Sequence, residues 1–286
     1  MNQAAFHLRK PAQLASCVVF ASPHSGNLYP ADFLQQSQLD QHAIRSSEDA
    51  FVDQLFACAP EYGAPLLAAG IPRAYVDLNR STDELDPALI EGVRRQGHNP
   101  RVASGLGVVP RVVANGRAIY RGKIRMAEAQ ARISAYWHPY HAALQDLLEQ
   151  AHVRFGQAIL IDCHSMPHEA TDSAGRAGRQ TPEIVLGDRF GAAAGAEVVD
   201  RIEAAFAASG LKVVRNAPFA GAYVTQAYGR PSRNQHAVQI EIDRALYMDE
   251  RLIRPNANFD HLRNLLRQVI SEIALIGPEE MPLAAE

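Results

Sequence analysis

The stretch that decides the fold is Ala158-Ile159-Leu160-Ile161-Asp162, followed by Cys163-His164-Ser165-Met166-Pro167. Its first part is an uninterrupted apolar run, which is typical of a strand buried inside a sheet. The polar residues that follow would stand at the carboxyl end of that strand. We therefore predict a buried strand over residues 158–162 with a candidate functional histidine, His164, directly after it.

Strand-like and helical segments alternate on either side of this stretch. We predict strands at residues 17–21, 74–78, 212–214, 222–225 and 237–242, and helices at residues 48–59, 126–152, 192–208 and 259–275. Pro139 should kink or divide the second helix, residues 171–180 should form a loop, and Asn115-Gly116 suits a hairpin turn. The alternation predicts an α/β fold of three layers: a mixed, mostly parallel sheet with helices on both faces. One domain covering residues 1–286 is the simplest organisation.

The composition excludes several classes of protein. The 286 residues are 47% hydrophobic and 21% charged, as in ordinary globular proteins, and the net charge of −3 argues against a nucleic-acid partner. No apolar run approaches the roughly 18 residues needed to span a bilayer. The three cysteines form no CxxC pair, and the N-terminus has no apolar signal region. These features predict a cytoplasmic protein without a membrane partner.

Two histidines follow predicted strands and are candidate metal ligands. His24 comes after residues 17–21 and His164 after residues 158–162. Proteins with a parallel α/β sheet bind small molecules at the carboxyl ends of the strands. A catalytic zinc usually has three protein ligands and an open water position. Glu48 and Asp49 are the carboxylates that could complete the set. For either histidine alone, a hydrogen-bonded structural role is the alternative, since no compact HExxH motif is present.

A carboxylate in a late strand is the candidate general base. Glu241 lies between Ile240 and Ile242, and burial raises the pKa of a carboxyl group, which suits proton transfer near neutral pH. The alternative is a structural carboxylate paired with Arg244. Ser25 and Ser165 lack the GxSxG motif of serine hydrolases. Cys163 should point away from the side of its strand that carries His164, as a core residue.

Arginines are candidates for binding an acidic substrate. Asn79 and Arg80 follow the predicted strand at 74–78, and a guanidinium group matches a carboxylate with two parallel hydrogen bonds. A surface salt bridge is the alternative for Arg80. Arg230 is a candidate for a second anion contact, and the arginine-rich residues 176–179 could neutralise a second carboxylate.

These motifs, taken in order, resemble the N-formylglutamate amidohydrolase family. The resemblance covers about residues 16 to 250 and rests on Ser22-Pro23-His24-Ser25-Gly26 with Tyr29-Pro30, Glu48-Asp49 with Asp53, Tyr75-Val76-Asp77-Leu78-Asn79-Arg80, residues 161–167, Gly221-Ala222-Tyr223-Val224-Thr225, Tyr228-Gly229-Arg230-Pro231 and Gln239-Ile240-Glu241.

The resemblance implies a zinc hydrolase whose fold is related to the zinc carboxypeptidases and aspartoacylases, with one Zn²⁺ per chain. His24 and His164 would be metal ligands, Asn79 and Arg80 the carboxylate clamp, and Glu241 the general base. Relatives carry their metal carboxylate three residues after the first histidine, where this chain has Asn27. The role therefore passes to Asp49, because the Asp49–Asp53 pair resembles the family, with Glu48 as the alternative.

The implied reaction is hydrolysis of N-formyl-L-glutamate to formate and L-glutamate, as at the end of a histidine-degradation route. A related zinc hydrolase acting on another small-molecule N-acyl amino acid, or on a small peptide, is the first alternative. A non-catalytic protein that keeps the fold and senses an amino acid is the second.

Overall fold

Seven strands join in one sheet in the computed structural model, which describes residues 4–94, 99–175 and 181–277. Their order across the sheet is β1-β3-β2-β4-β7-β5-β6. The strands are β1 (Phe6–Arg9), β2 (Val18–Ser22), β3 (Leu66–Ala69), β4 (Ala158–Met166), β5 (Ile184–Gly187), β6 (Val213–Arg215) and β7 (Gln235–Asp243), and β8 (Met248–Asp249) pairs with β9 (Arg254–Pro255) in a separate ribbon.

The centre of the sheet is parallel. β4 pairs in parallel with β2 on one side and with β7 on the other, while β5 runs antiparallel to β7 and parallel to β6. The predicted mixed, mostly parallel sheet is confirmed. The strand predicted at 158–162 continues to Met166, because Cys163 to Met166 pair with Ile240 to Asp243. His164 therefore lies within the strand, and its predicted place after the strand is wrong.

Helices connect and cover the strands. They are α1 (Ala31–Gln36), α2 (Val52–Leu55), α3 (Pro100–Ala103), α4 (Met126–Arg132), α5 (His138–Phe155), α6 (His168–Gly175), α7 (Ala196–Ala208), α8 (Tyr223–Tyr228) and α9 (Phe259–Ala274). A π-helical turn at Ile133–Trp137 separates α4 from α5. The predicted helix is therefore interrupted, but the interruption lies before Pro139, which is within α5. No helix among the described residues is both long and apolar enough to cross a membrane.

Helical segments pack on both faces of β4 and β7. Phe20, which pairs with Ile161, contacts Phe56 at the end of α2 with ring centroids 5.8 Å apart. Gln239 points to the opposite face, where its Oε1 accepts a hydrogen bond from the backbone N–H of Ala222, at the start of α8. Side chains alternate between faces along a strand, so one face receives apolar rings and the other receives polar groups.

Four sequence predictions are wrong in whole or in part. Residues 74–78 form a turn, because the backbone N–H groups of Tyr75 and Val76 bond to the carbonyl of Pro72. Residues 223–228 form α8 rather than a strand. The helix predicted at 48–59 shrinks to α2 because Phe51 is left-handed, with φ 68°. The loop predicted at 171–180 is helical as far as Gly175, and residues 176–180 lie outside the described residues.

The chain divides into two compact units. One comprises residues 1–7, 23–50 and 68–143 and contains α1, α3, α4 and the π-helical turn. The other comprises residues 8–22, 51–67 and 144–286 and contains β2, β4 to β7 and helices α7 to α9. The single domain expected over residues 1–286 stays a prediction.

A buried arginine organises the core of the first unit. Arg132 is 2% exposed, and its guanidinium lies 4.2 Å from the ring centre of Tyr75, with the rings of Phe33 and Tyr120 also in contact. It donates hydrogen bonds to the hydroxyl of Tyr120 and to Glu128. Aromatic faces and a carboxylate stabilise this buried cation.

Replacing Arg132 with Met should destabilise the protein by about 2–4 kcal/mol, because Glu128 and Tyr120 lose their buried partner. Chemical denaturation would measure the change in the free energy of unfolding. The exposed Arg121 provides the matched control, since Arg121→Met should change stability by less than about 0.5 kcal/mol. Equal effects of the two substitutions would contradict the structural role of Arg132.

Candidate active site

His24 lies in the turn that follows β2 and is 2% exposed. Gly26 lets this turn press against the backbone of Ile71, because an added Cβ would lie 1.9 Å from the Ile71 carbonyl oxygen. The imidazole Nε2 lies 2.7 Å from Asp77 Oδ1 and Nδ1 lies 3.4 Å from Asp49 Oδ2. A carboxylate only accepts, so Asp77 fixes the proton on Nε2 and leaves the lone pair of Nδ1 facing Asp49.

Asp77 connects this histidine to the candidate clamp. Its Oδ1 also accepts the backbone N–H of Asn79 at 2.8 Å, and its Oδ2 accepts from Arg73 Nη2 at 2.9 Å. Burial by itself raises the pKa of Asp77, but its interactions with His24, Arg73 and Arg80 outweigh burial and hold the pKa well below its usual value. Asp77 therefore stays ionised and orients His24.

Glu48 and Asp49 face different partners. Glu48 accepts two hydrogen bonds from Arg45, at 2.9 and 3.0 Å, and one from the hydroxyl of Tyr29 at 2.7 Å. Asp49 instead faces His24. Of the two carboxylates that the sequence leaves open, the structure therefore brings Asp49 to the histidine.

His164 stands on β4 beside a second buried aspartate. Its Nε2 lies 3.0 Å from Oδ2 of Asp162, which is fully buried. The two residues are two positions apart on a strand and therefore share one face of the sheet. Asp162 therefore orients His164 as Asp77 orients His24.

Glu241 shares that face with His164. The two residues are paired directly in the register of β4 with β7, and paired residues of adjacent strands point to the same side. Gln239 donates from Nε2 to Glu241 Oε1 at 2.7 Å, while the backbone N–H of Ala222 donates to Gln239 Oε1 at 3.1 Å. These two bonds fix the orientation of the Gln239 amide and hold one carboxylate oxygen of Glu241.

Three buried side chains form a candidate metal centre. His24, Asp49 and His164 each offer one ligand atom, and these atoms lie within 4.8 Å of one another. Two imidazoles and a carboxylate are a usual donor set for catalytic zinc. Ligands about 2.0–2.1 Å from a tetrahedral zinc lie about 3.3 Å apart, close to the 3.4 Å between His24 and Asp49. The residues present therefore fit a zinc ion.

Arg80 is buried rather than placed in a surface salt bridge. It is 7% exposed, and its Nε and Nη1 donate to the carbonyls of Leu106 and Asn79 at 2.9 and 2.7 Å. Burial lowers the pKa of Arg80. The two bonds use two of the five guanidinium N–H groups and fix its plane, so the group can meet a carboxylate without reorganising.

The segment that carries Arg80 is held by two aromatic side chains. His141 Nε2 bonds to the Leu78 carbonyl and Trp137 Nε1 donates to the Arg80 carbonyl, each at 2.9 Å. Burial lowers the pKa of His141 to about 4, so the ring is neutral. Because a carbonyl only accepts, the neutral ring carries its proton on Nε2.

Arg230 is not brought to this site. Its backbone pairs with Gln235 at the start of β7, six residues from Glu241, which corresponds to about 20 Å along a strand. Its exposed side chain donates to the carbonyls of Gln226 and Gly229. The arginine-rich residues 176–179 lie outside the described residues.

The structure also bears on the alternatives for other residues. Cys163 is fully buried, and burial raises the pKa of its thiol well above the usual value, as expected for a core residue and not for a nucleophile. Arg244 donates to Ser165 Oγ at 3.1 Å and lies 3.9 Å from Glu250.

Sequence reasoning missed the side chains that orient the site. Asp77, Asp162, Gln239 and Arg73 were assigned no role, although each contacts a candidate site residue or its orienting carboxylate. The strand period contained the signal for two of them, because Asp162 and Gln239 each precede a candidate residue by two positions. Nothing in the spacing indicated Arg73 or Asp77.

Comparison with known proteins assigns the class. A protein-family model described as N-formylglutamate amidohydrolase matches residues 16–248. The chain is 32% identical to an N-formylglutamate deformylase of Pseudomonas aeruginosa over 90% of each chain, and 28% identical to one of Pseudomonas putida over 82% of each chain.

Solved structures agree with this relationship. The crystal structure of N-formylglutamate amidohydrolase from Ralstonia eutropha JMP134 superposes with a TM-score of 0.88 at 36% identity, covering 96% of this chain and 98% of that one. A gene product of Agrobacterium tumefaciens, 17% identical with a TM-score of 0.65, shows the same fold. The protein is an amide-bond hydrolase. It belongs to the N-formylglutamate amidohydrolase family, as the sequence motifs predict.

Asp49→Asn should weaken zinc binding by more than about 100-fold, because it removes the negative charge of a candidate ligand, whereas Glu48→Gln should stay within about tenfold of the parent. Competition with a chromogenic chelator measures both affinities. The reverse order of the two variants would show that Glu48 is the ligand.

The pKa of His141 predicts a pH effect on stability. It is about 4 in the folded chain against 6.5 for an unperturbed histidine, so the unfolded state binds the extra proton between these values. The contribution is complete above about pH 6.5 and is lost as pH falls towards 4. An electrostatic interaction with His138 adds to this lowering of the His141 pKa.

From pH 7 to pH 5 the parent should therefore lose about 2 kcal/mol more unfolding free energy than His141→Gln. Urea denaturation at both pH values measures the difference. Parallel pH profiles for the two proteins would contradict the buried, neutral state of His141.

Proposed function

We propose that this protein hydrolyses the amide bond of N-formyl-L-glutamate to formate and L-glutamate, with one zinc ion per chain held by His24, Asp49 and His164. The observation that carries the proposal is the pairing of His164 with Glu241 on one face of the sheet, next to a donor set that fits zinc. The substrate follows from the relatives that carry this activity in their names.

Substrate binding is assigned to the Asn79–Arg80 pair. The Arg80 guanidinium is fixed by two backbone carbonyls, so its remaining N–H groups form a preorganised site for a carboxylate. Asn79, 2% exposed, supplies the neighbouring amide. Arg230 has no part in this arrangement because of its distance from Glu241.

Glu241 is assigned the proton transfers. When bound, zinc supplies a Lewis acid that polarises the amide carbonyl and makes water acidic enough to react near neutral pH. Glu241 accepts the proton that water loses as its oxygen bonds to the formyl carbon. It then donates that proton to the glutamate nitrogen as the carbon–nitrogen bond breaks. Gln239 holds Glu241 in place through its 2.7 Å hydrogen bond.

The proposal includes a cellular setting. Histidine degradation is the route that would supply N-formyl-L-glutamate, and the three cysteines, which form no disulfide, fit a reducing compartment such as the cytoplasm. We propose a single catalytic domain over residues 1–286.

Glu241→Gln should lower kcat by about 10²- to 10⁴-fold while zinc content stays unchanged, because the variant loses only the proton acceptor. Formate release from N-formyl-L-glutamate, together with metal analysis, measures both. Glu149→Gln, at an exposed position on α5, is the control and should match the parent. Retained turnover in Glu241→Gln would remove Glu241 from the mechanism.

A chelator should abolish formate release, and added zinc should restore it. Activity that survives complete removal of metal would contradict zinc dependence. A metal-loaded protein that cleaves N-acetyl or larger acyl amino acids but not N-formyl-L-glutamate would contradict the substrate assignment and leave the hydrolase chemistry in place.

A further inference from the structure

Three side chains from one helical stretch form hydrogen bonds to backbone carbonyls of residues 75–80. Arg132, at the end of α4, donates to the Tyr75 carbonyl at 3.3 Å. His141, in α5, bonds to the Leu78 carbonyl, and Trp137, in the π-helical turn, donates to the Arg80 carbonyl, each at 2.9 Å. The segment they hold also carries Asp77, which orients His24.

The π-helical turn at Ile133–Trp137 allows all three side chains to reach the same segment. Residues five apart in a regular α-helix point about 140° away from each other, so Arg132 and Trp137 would face different sides. A π-helical turn closes i→i+5 hydrogen bonds and brings such residues into line. Trp137 and His141 then follow at the usual spacing of four, with their rings stacked 3.9 Å apart.

These hydrogen bonds fix the position of the Arg80 guanidinium group. Arg80 donates through Nη1 to the carbonyl of its own neighbour, Asn79, and through Nε to Leu106, so the side chain moves with the backbone of the segment. The carbonyls on which Trp137 and His141 act, those of Arg80 and Leu78, flank Asn79. Trp137 is only partly buried, so its ring borders solvent beside this segment.

We infer that Trp137 and His141 are positioning residues that set the affinity of Arg80 for a substrate carboxylate, and that Trp137 is an optical reporter of carboxylate binding. The inference rests on the proposed function of Arg80 as the clamp. Neither residue touches the reacting atoms in this scheme. They act by holding the carbonyls on either side of Asn79.

The first test separates binding from chemistry. Trp137→Phe keeps a ring that stacks on His141 but removes the indole N–H, so KM for N-formyl-L-glutamate should rise about five-fold with kcat within about twofold of the parent. His141→Leu should behave likewise, whereas His141→Gln, which retains an N–H donor, should stay close to the parent. Ser134→Ala, at an exposed position in the same π-helical turn, is the matched control and should leave KM unchanged.

Amide analogues distinguish positioning of Arg80 from a general structural effect. N-formyl-L-glutamine and N-formyl-L-isoglutamine each lack one carboxylate. With the analogue that lacks the carboxylate bound by Arg80, Trp137→Phe should no longer raise KM, because the two changes remove the same interaction. An equal rise for all three substrates, or no rise for any, would overturn the inference.

The second test needs no turnover. Trp137 is the single tryptophan of the chain, so intrinsic fluorescence reports on this position. Titration of the zinc-loaded protein with L-glutamate should give a saturable change that Arg80→Met abolishes. A missing change, or one that persists in Arg80→Met, would overturn the inference. Failure of the proposed function has a different signature, namely no formate release by the parent protein despite this fluorescence response.

Discussion

The carboxylate of Asp77 is the group on which the site depends. It is fully buried in the first compact unit, and it accepts hydrogen bonds from the imidazole of His24, the backbone of Asn79 and the guanidinium of Arg73. Burying an anion is unfavourable unless it is paired, and here three donors and nearby cations compensate. The same carboxylate sets the tautomer of a candidate metal ligand and the path of the segment that carries the proposed carboxylate clamp. Movement of that segment would therefore disturb both.

The second constraint is the register of β4 with β7. His164 and Glu241 face the same side because they are directly paired, and a slip of one residue would send them to opposite faces. Nine consecutive buried residues in β4 make such a slip costly, because it would turn the apolar side of the strand towards the polar groups. The packing of the core thus places a candidate ligand beside a candidate base.

The sequence predicts correctly those elements that are marked by long runs of apolar residues. The central strands at 158–162 and 237–242 are predicted correctly because most of their residues are apolar. His164 and Glu241 are identified as candidates by their positions relative to these strands. The apolar residues at 74–78 predict a strand, but hydrogen bonds from the backbone N–H groups of this segment to the Pro72 carbonyl form a turn instead. The choice between Glu48 and Asp49 depended on Arg45 and Tyr29, partners that no periodicity reveals. Arg230 was misleading because its motif lies near Glu241 in sequence but at the other end of β7.

The irregular conformation of residues 74–78, which the sequence predicts as a strand, explains how the segment around Arg80 is held. In a sheet, the carbonyls of Tyr75, Leu78 and Arg80 would be paired with a neighbouring strand, whereas in an irregular segment buried carbonyls need other donors. Arg132, His141 and Trp137 are those donors, and a π-helical turn brings them to one side. An irregular segment can place Asp77, Asn79 and Arg80 towards different partners, which a strand of period two cannot. In the proposed role of Arg80 as the clamp, a segment held in this way would meet its ligand already ordered, so little binding energy would be lost in ordering it.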